Sequence, residues 1–275
     1  MRLALFAVAG VITAAGCDVP QEQEVSLGAD AASEINAQLP LIEDPYIKHY
    51  VQRLGQDIAD QTERRDLTWH FHVVDSPQIN AFALPGGYVY VNRGLIEATR
   101  SVTELAGVLG HEIGHIVQRH SIDQMQKHAG AGLGISVLCS VTNVCESEIG
   151  QAALQIGGSF VLARYSRRDE FEADSEAVVN VMRAGIHPIG VPRVFERFME
   201  AREVAPSQLE NWFASHPLEE ARIDAAREMI AQLDPRQLER LQTDDGEYAA
   251  FRERVAALPP SPEGPPPEPL GQPLP

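Results

Sequence analysis

Basic side chains are scarce in this sequence: 22 Lys and Arg stand against 39 Asp and Glu, a formal net charge of −17 over 275 residues. Nucleic acid is thereby excluded as a partner, because phosphate contacts need clustered Lys and Arg. Electrostatic docking on anionic lipid is excluded on the same ground, and the surplus negative charge is read as a solubility device. Cysteine is scarce too, with three residues, which limits cross-linking to a single bridge. No internal repeat is evident. Leu3 to Ala15 is apolar but too short to span a bilayer, and the chain lacks the several hydrophobic spans of an integral membrane protein. What remains is 44% hydrophobic, enough for one sizeable core in about 210 residues once the ends are set aside.

What is there begins with His111-Glu112-Ile113-Gly114-His115. On a helix, His111 and His115 sit four apart and project from one face. Two imidazoles so placed can hold one Zn²⁺, and Glu112 between them can reach a metal-bound water as general base. The bland alternative is a helix with two surface histidines. Context opposes it. Ser101-Val102-Thr103-Glu104 reads as a capping box, and Val102, Leu105, Val108, Leu109, Ile113, Ile116 and Val117 follow at helical spacing. The histidines therefore ride on a largely buried helix, where an unpaired imidazole is costly. Gly107, Gly110 and Gly114 each weaken a helix by about 1 kcal/mol relative to alanine, which implies that another element packs very close.

Such a site needs a third protein ligand and leaves a fourth position for water. The segment Ser166 to Asp174 lies on a second predicted helix ending near Gly185. Glu170 and Asp174 are four apart and share a face with Ala177 and Val181. Glu170 is read as the third ligand, and Asp174 as the group that orients a ligand histidine through its other ring nitrogen. Glu172 is the nearest rival ligand, but it points away from that face. The bland reading is an exposed acidic helix paired with arginines. Farther on, His216-Pro217 opens a helix with Arg222 in its second turn. A histidine and an arginine there can stabilise an oxyanion; alternatively His216 occupies the open zinc position, or the His-Pro pair merely caps the helix.

The order H-E-x-x-H, then Glu-x-x-x-Asp, then His-Pro with an arginine after it, resembles one zinc metallopeptidase family. It is the family of the CAAX prenyl endopeptidase, the heat-shock membrane protease and a bacterial periplasmic protease that assists outer-membrane barrel assembly. Asn80 to Val91 is similar to the family's strand pair ahead of the metal helix, and the likeness covers about residues 25–235. The resemblance implies an α+β fold: a mostly helical gluzincin-type metallopeptidase domain with a small mixed β-sheet beside the zinc helix. It implies Zn²⁺ held by His111, His115 and Glu170, with Glu112 as base, Asp174 behind a ligand histidine, and His216 and Arg222 near the transition state. It points to the soluble bacterial branch, without the helical-repeat domain that some of its members carry. Unfolded or misassembled cell-envelope proteins are then the expected substrates, paired along the strand Asn80, Ala81, Phe82, Ala83. Oligomeric state is not legible.

The ends carry an address. Arg2 and the apolar Leu3–Ala15 form a signal segment, and Ala14-Ala15-Gly16-Cys17 resembles a bacterial lipobox with Cys17 as the lipidated residue. An ordinary secretory signal cut near Gly16 is the alternative. Asp18 resembles the signal that retains lipoproteins in the inner membrane, so a lipid-anchored periplasmic location is expected, with the outer membrane also open. Cys139 and Cys145 then suit a small disulfide loop in an oxidising compartment, pinning a hairpin or lid over 129–160; free thiols binding metal are the other reading.

The expected organisation is a signal peptide over 1–16, a tether over 17–28, the metallopeptidase domain over 29–245 and a proline-rich tail over 258–275. Within the domain, 29–64 has helical periodicity with Ile47, Val51, Leu54 and Ile58 on one face. Leu67 to Asp75 alternates as a strand, which makes His70 and His72 strand-face histidines rather than a metal pair. Pro85-Gly86-Gly87 turns the chain into a strand from Tyr88 to Asn92, and 190–204 and 217–232 read as closing helices. Two other functions compete with proteolysis: a lipoprotein chaperone that binds envelope proteins with little cleavage, and a structural zinc protein closed by His216.

Overall fold

The computed structural model describes residues 19–131, 165–204, 206–217 and 220–261. Two helices open it, α1 (Gln21–Gln38) and α2 (Pro45–Ala59), where the periodicity of 29–64 predicts helix throughout. Pro40 explains the break. Leu39 before it is extended (φ −88°, ψ 140°), the conformation a residue preceding proline prefers. Asp44 then restarts the helix by accepting from the amides of Tyr46 and Ile47, with Pro45 in the first turn.

Three strands follow, β1 (His70–Val74), β2 (Ala81–Leu84) and β3 (Tyr88–Asn92). Their order is β1-β3-β2, with β1 parallel and β2 antiparallel to β3, so the sheet is small and mixed. Alternation sets its faces. Phe71 and Val73 enter the main core, while His70 and His72 stack on Tyr88 and Tyr90 across the strands at 4.6 and 4.9 Å. Among the described residues neither histidine joins a metal-ligating group. Helix α1 covers part of that second face, packing Ala31, Ala32 and Ile35 with Phe82, Leu84 and Tyr90.

The remaining helices are α3 (Arg93–Ala98), α4 (Val102–Val117), α5 (His120–Ala131), α6 (Arg167–Arg183), α7 (Gly190–Val204), α8 (Glu210–Ser215), α9 (Glu220–Ala231), α10 (Pro235–Leu238) and α11 (Tyr248–Ala256). Helix α4 runs through the centre and is buried from Val102 to Ile116, with α6 and α7 against it as well as α2 and the sheet. Leu105, Val108, Leu109 and Ile113 join Val181, Phe195, Phe198 and Trp212 in one cluster. Burying each such side chain contributes about 1.5–3 kcal/mol. Ser101 caps α4 through the Glu104 amide, yet the capping box stays open. Glu104 turns its carboxylate to the Arg100 amide at 2.7 Å and to Arg197 of α7 at 2.7 and 3.0 Å instead.

The packed unit is wider than 29–245. Leu27 is buried at one end, and Tyr248, Phe251 and Val255 of α11 are buried at the other, with Phe251 stacked on Tyr50 at 4.1 Å. Their spacing puts all three on one helix face. The signal segment with Cys17, the Cys139–Cys145 pair with most of the expected lid, and the tail from 262 lie outside the described residues. Among the described residues no helix is long and apolar enough to cross a membrane.

Candidate metal centre

Helices α4 and α6 approach almost main chain to main chain. A Cβ on Gly110 would meet the Ala177 Cα at 3.2 Å, and one on Gly114 would meet the Ala173 carbonyl oxygen at 2.8 Å. Glycine on one helix and alanine on the other permit this contact, which larger side chains would prevent. The polar residues beside it are brought together as a result. His111, His115, Glu170 and His216 are all buried, and each offers a ligand atom within 4.8 Å of the others'.

The inward nitrogens of the two α4 histidines are both Nε2, 3.0 Å apart. Glu170 Oε1 lies 3.4 Å from His115 Nε2, and Oε2 lies 3.6 Å from His111 Nε2. His216, at the end of α8, places Nδ1 3.1 Å from Glu170 Oε1 and 3.2 Å from His111 Nε2. Glu112 is buried, and neither carboxylate oxygen has a hydrogen-bond partner; His216 Nε2 stands 3.6 Å away. A buried carboxylate left so is costly unless something else meets it. Two imidazoles and one carboxylate, with a second carboxylate free to face a water, are the donor set of an open zinc site. The residues fit Zn²⁺ in the gluzincin pattern.

Asp174 and Arg222 stand behind this set. His111 Nδ1 faces Asp174 Oδ1 at 2.9 Å, the position expected for a carboxylate that orients a ligand histidine. Arg222 donates to both Asp174 oxygens at 2.8 Å, donates through Nη1 to the Pro217 carbonyl at 3.0 Å and contacts Glu170 Oε2. Its guanidinium is thus engaged with Asp174 and Glu170, the carboxylates beside the metal position. Its fork matches a carboxylate in a way that a lysine would not.

Electrostatics follow from burial and these neighbours. Burial pushes the Glu112 carboxyl up and keeps the His115 imidazole well below its usual value. Burial also opposes ionisation of Glu170, but His216, His115 and Arg222 outweigh it and hold the carboxyl well below the ordinary range. At His216 burial favours the neutral ring, and Glu170 with Glu112 overcomes it and raises the value.

Three residues here had no motif to announce them. Tyr165 stacks on His115 at 3.8 Å, Trp212 stacks on His216 at 4.6 Å, and His120 Nδ1 lies 2.8 Å from His115 Nδ1. Glu172, the rival ligand, is outside the cluster and meets His120 Nε2 at 3.2 Å. The signal that points to His120 is its place five residues after His115; the two rings have none.

Strand β2 is at the sheet edge and packs against α4. The Asn92 amide donates to the Asn80 carbonyl at 2.9 Å, so 80, 82 and 84 pair with β3 and the backbone groups of Ala81 and Ala83 point away from it. Ala81 and Ala83 are buried as whole residues, main chain included, at 0% and 2% exposure, so this edge is covered in the structure. A strand added there would be recognised by main chain alone.

A family model described as "Peptidase family M48" matches residues 45–230. The chain is 28% identical over 229 residues to the "Beta-barrel assembly-enhancing protease" of Yersinia pestis, covering 81% of this chain and 47% of that protein. It is 31% identical over 235 residues to the "Putative beta-barrel assembly-enhancing protease" of Vibrio cholerae, covering 82% and 48%. To the "Metalloendopeptidase OMA1, mitochondrial" of Bos taurus it is 31% identical over 194 residues, covering 68% and 36%. The chain thus spans about half the length of the bacterial relatives.

Proposed function

Because the chain belongs to peptidase family M48, we propose that it is a zinc endopeptidase of the bacterial cell envelope, acting on misfolded or unassembled envelope proteins. The observation that carries the chemistry is Glu112: a buried carboxylate without a hydrogen-bond partner, beside three converging zinc ligands. Support for the substrate class comes from the likeness to proteases named for barrel assembly. Support for a periplasmic, lipid-anchored location comes from the apolar Leu3–Ala15 segment ahead of Cys17.

His111, His115 and Glu170 would hold Zn²⁺, which supplies the Lewis acid that polarises a peptide carbonyl and activates water. Glu112 takes a proton from the attacking water and returns it to the leaving amine. Burial, which raises its pKa, makes it a better proton acceptor than an exposed carboxylate. Asp174 and Arg222 keep His111 and Glu170 in place, and His216 faces the negative charge that develops on the carbonyl oxygen. An extended substrate would pair with the backbone of Ala81 and Ala83, which is covered in this structure and would first have to be uncovered.

The test is zinc quantification together with cleavage of casein or another unfolded protein, wild type against Glu112→Gln. Retained zinc with lost cleavage supports the assignment, and undiminished turnover sinks it. The chaperone reading is favoured instead if Glu112→Gln still rescues an envelope-assembly defect. His216 within the cluster is the observation that favours a closed, structural site, and its own variant decides that question.

A further inference from the structure

The outer nitrogens of the two zinc histidines are held in different ways. His111 Nδ1 meets a carboxylate directly, Asp174 Oδ1 at 2.9 Å. His115 Nδ1 instead meets another imidazole, His120 Nδ1 at 2.8 Å, and His120 Nε2 continues to Glu172 Oε2 at 3.2 Å. His120 is buried at 2% exposure.

The hydrogens in this chain can be assigned. A carboxylate only accepts, so the proton on His120 sits on Nε2. A neutral imidazole carries one proton, so His120 Nδ1 is bare and accepts from Nδ1–H of His115. That leaves His115 Nε2 with its lone pair turned towards Glu170 and His111. With the opposite tautomer, two bare nitrogens would face each other at 2.8 Å, and an N–H would point at the metal position. We infer that His120 and Glu172 are positioning residues, a two-residue relay that fixes His115 in the tautomer able to bind zinc. The inference rests on the zinc reading above and extends it outward by two residues.

The chain is shaped for this contact. Arg119 has φ 59°, the one non-glycine positive φ among the described residues. That left-handed turn separates α4 from α5 and brings His120, five residues past His115, back against its ring. Tyr165, stacked on His115 at 3.8 Å, fixes the ring plane. Helix α6 then supplies the carboxylates that bind or orient the histidines, in addition to Glu112 of α4: Glu170 inward, Asp174 to His111 and Glu172 to His120. Glu172 reaches a different partner because it leaves the helix on another side.

His120, Asp169 and Glu172 also lie close enough to hold an ion of their own. The Asp169 carboxylate, however, accepts from the Ser166 amide at 3.0 Å and from Gln124 at 3.4 Å, closing the cap of α6. His120 Nδ1 is engaged with His115. These groups are therefore read as a support of the zinc site rather than a second one.

The experiment is zinc affinity of the full chain by competition with a chromogenic chelator, paired with the visible spectrum of the Co²⁺-loaded chain. His120→Leu should weaken zinc about 10- to 100-fold, the effect typical of losing a ligand histidine's partner, and should alter the cobalt bands. His120→Asn, whose amide oxygen can still accept near the Nδ1 position, should recover part of the loss. Glu172→Ala, at a half-exposed position, should give a smaller loss in the same direction. Wild-type affinity and spectrum in a folded His120→Leu chain overturn the relay, as does an Asn variant no better than Leu. If His120→Leu does not fold, unchanged affinity in Glu172→Ala overturns it alone. A wild-type chain that binds no zinc overturns the zinc reading itself, a separate outcome.

Discussion

Asp174 is gripped from two sides: its Oδ1 faces His111 Nδ1 at 2.9 Å, while Arg222 holds both of its oxygens at 2.8 Å. All three side chains are buried, so the arrangement is sensitive to the loss of any one charge. Arg222→Leu leaves Asp174 and Glu170 without their cation. The expected loss is about 3–5 kcal/mol of folding stability, read by urea denaturation, with zinc affinity falling too. Arg222→Lys keeps the charge without the fork and should lie between. Wild-type stability in the leucine variant would show that Arg222 does not hold these carboxylates.

Glu112→Gln separates binding from chemistry. Turnover should fall about 10²- to 10⁴-fold, the usual contribution of a general base, with zinc content unchanged. The chelator-treated variant should melt no lower than wild type, because removing an unpartnered buried charge relieves a desolvation cost. A clear drop in melting temperature would mean that Glu112 has a structural partner.

His216→Ala decides whether the site is open or closed. In an open site the variant retains zinc through His111, His115 and Glu170 and loses turnover. In a closed four-ligand site it releases zinc readily to a chelator. Stability should fall on chelation in wild type, since a metal bound only by the folded chain stabilises it; thermal unfolding with and without EDTA measures this.

Gly114→Ala drives a methyl towards the Ala173 carbonyl, 2.8 Å from where that carbon would sit. The helices must part, at about 1–3 kcal/mol. Zinc affinity should drop with stability, because the histidines and Glu170 lie on opposite sides of the contact. An alanine variant with full zinc affinity would uncouple the two.

Asp44 gives a prediction in pH. It caps α2 through the amides of Tyr46 and Ile47 and pairs with Arg254 of α11 at 2.6 Å. The Arg254 hydrogen bond, ahead of the Ile47 amide, holds its carboxyl below the ordinary 3.8. A lowered folded value means that the ionised form stabilises the fold above the unfolded value, and that this is lost as pH falls through the folded one. The stability gap between wild type and Asp44→Asn should therefore be present at pH 7 and close below about pH 3.8. A gap that persists in acid would assign it to the amide's poorer fit rather than to charge.

The zinc ligands were legible because helical spacing converts a short motif into a face: His111 with His115, and Glu170 with Asp174, need only the 3.6-residue turn to be placed. The glycines of α4 announced a close neighbour for the same reason. His120 escaped because its position depends on the left-handed turn at Arg119, which no periodicity encodes. Arg222 was legible at the site, but its partners Asp174, Glu170 and the Pro217 carbonyl were not, since sequence spacing does not say which acceptors a guanidinium will find. Tyr165 and Trp212 reach their imidazoles through tertiary packing alone. At the domain's ends, the buried face of α11 was masked by its many charged residues, while Pro40 split one periodic stretch into two helices.

Where Gly110 and Gly114 lie against Ala177 and Ala173, the two main chains come close to contact, with the Val181 side chain and the Glu176 Cβ as the flanking neighbours. The gauge of the metal aperture is therefore set by peptide geometry, which does not vary with rotamer choice. Sequence drift in apolar residues away from this contact can reshape the periphery and leave that gauge untouched, whereas a change at Val181, which borders Gly110, would not.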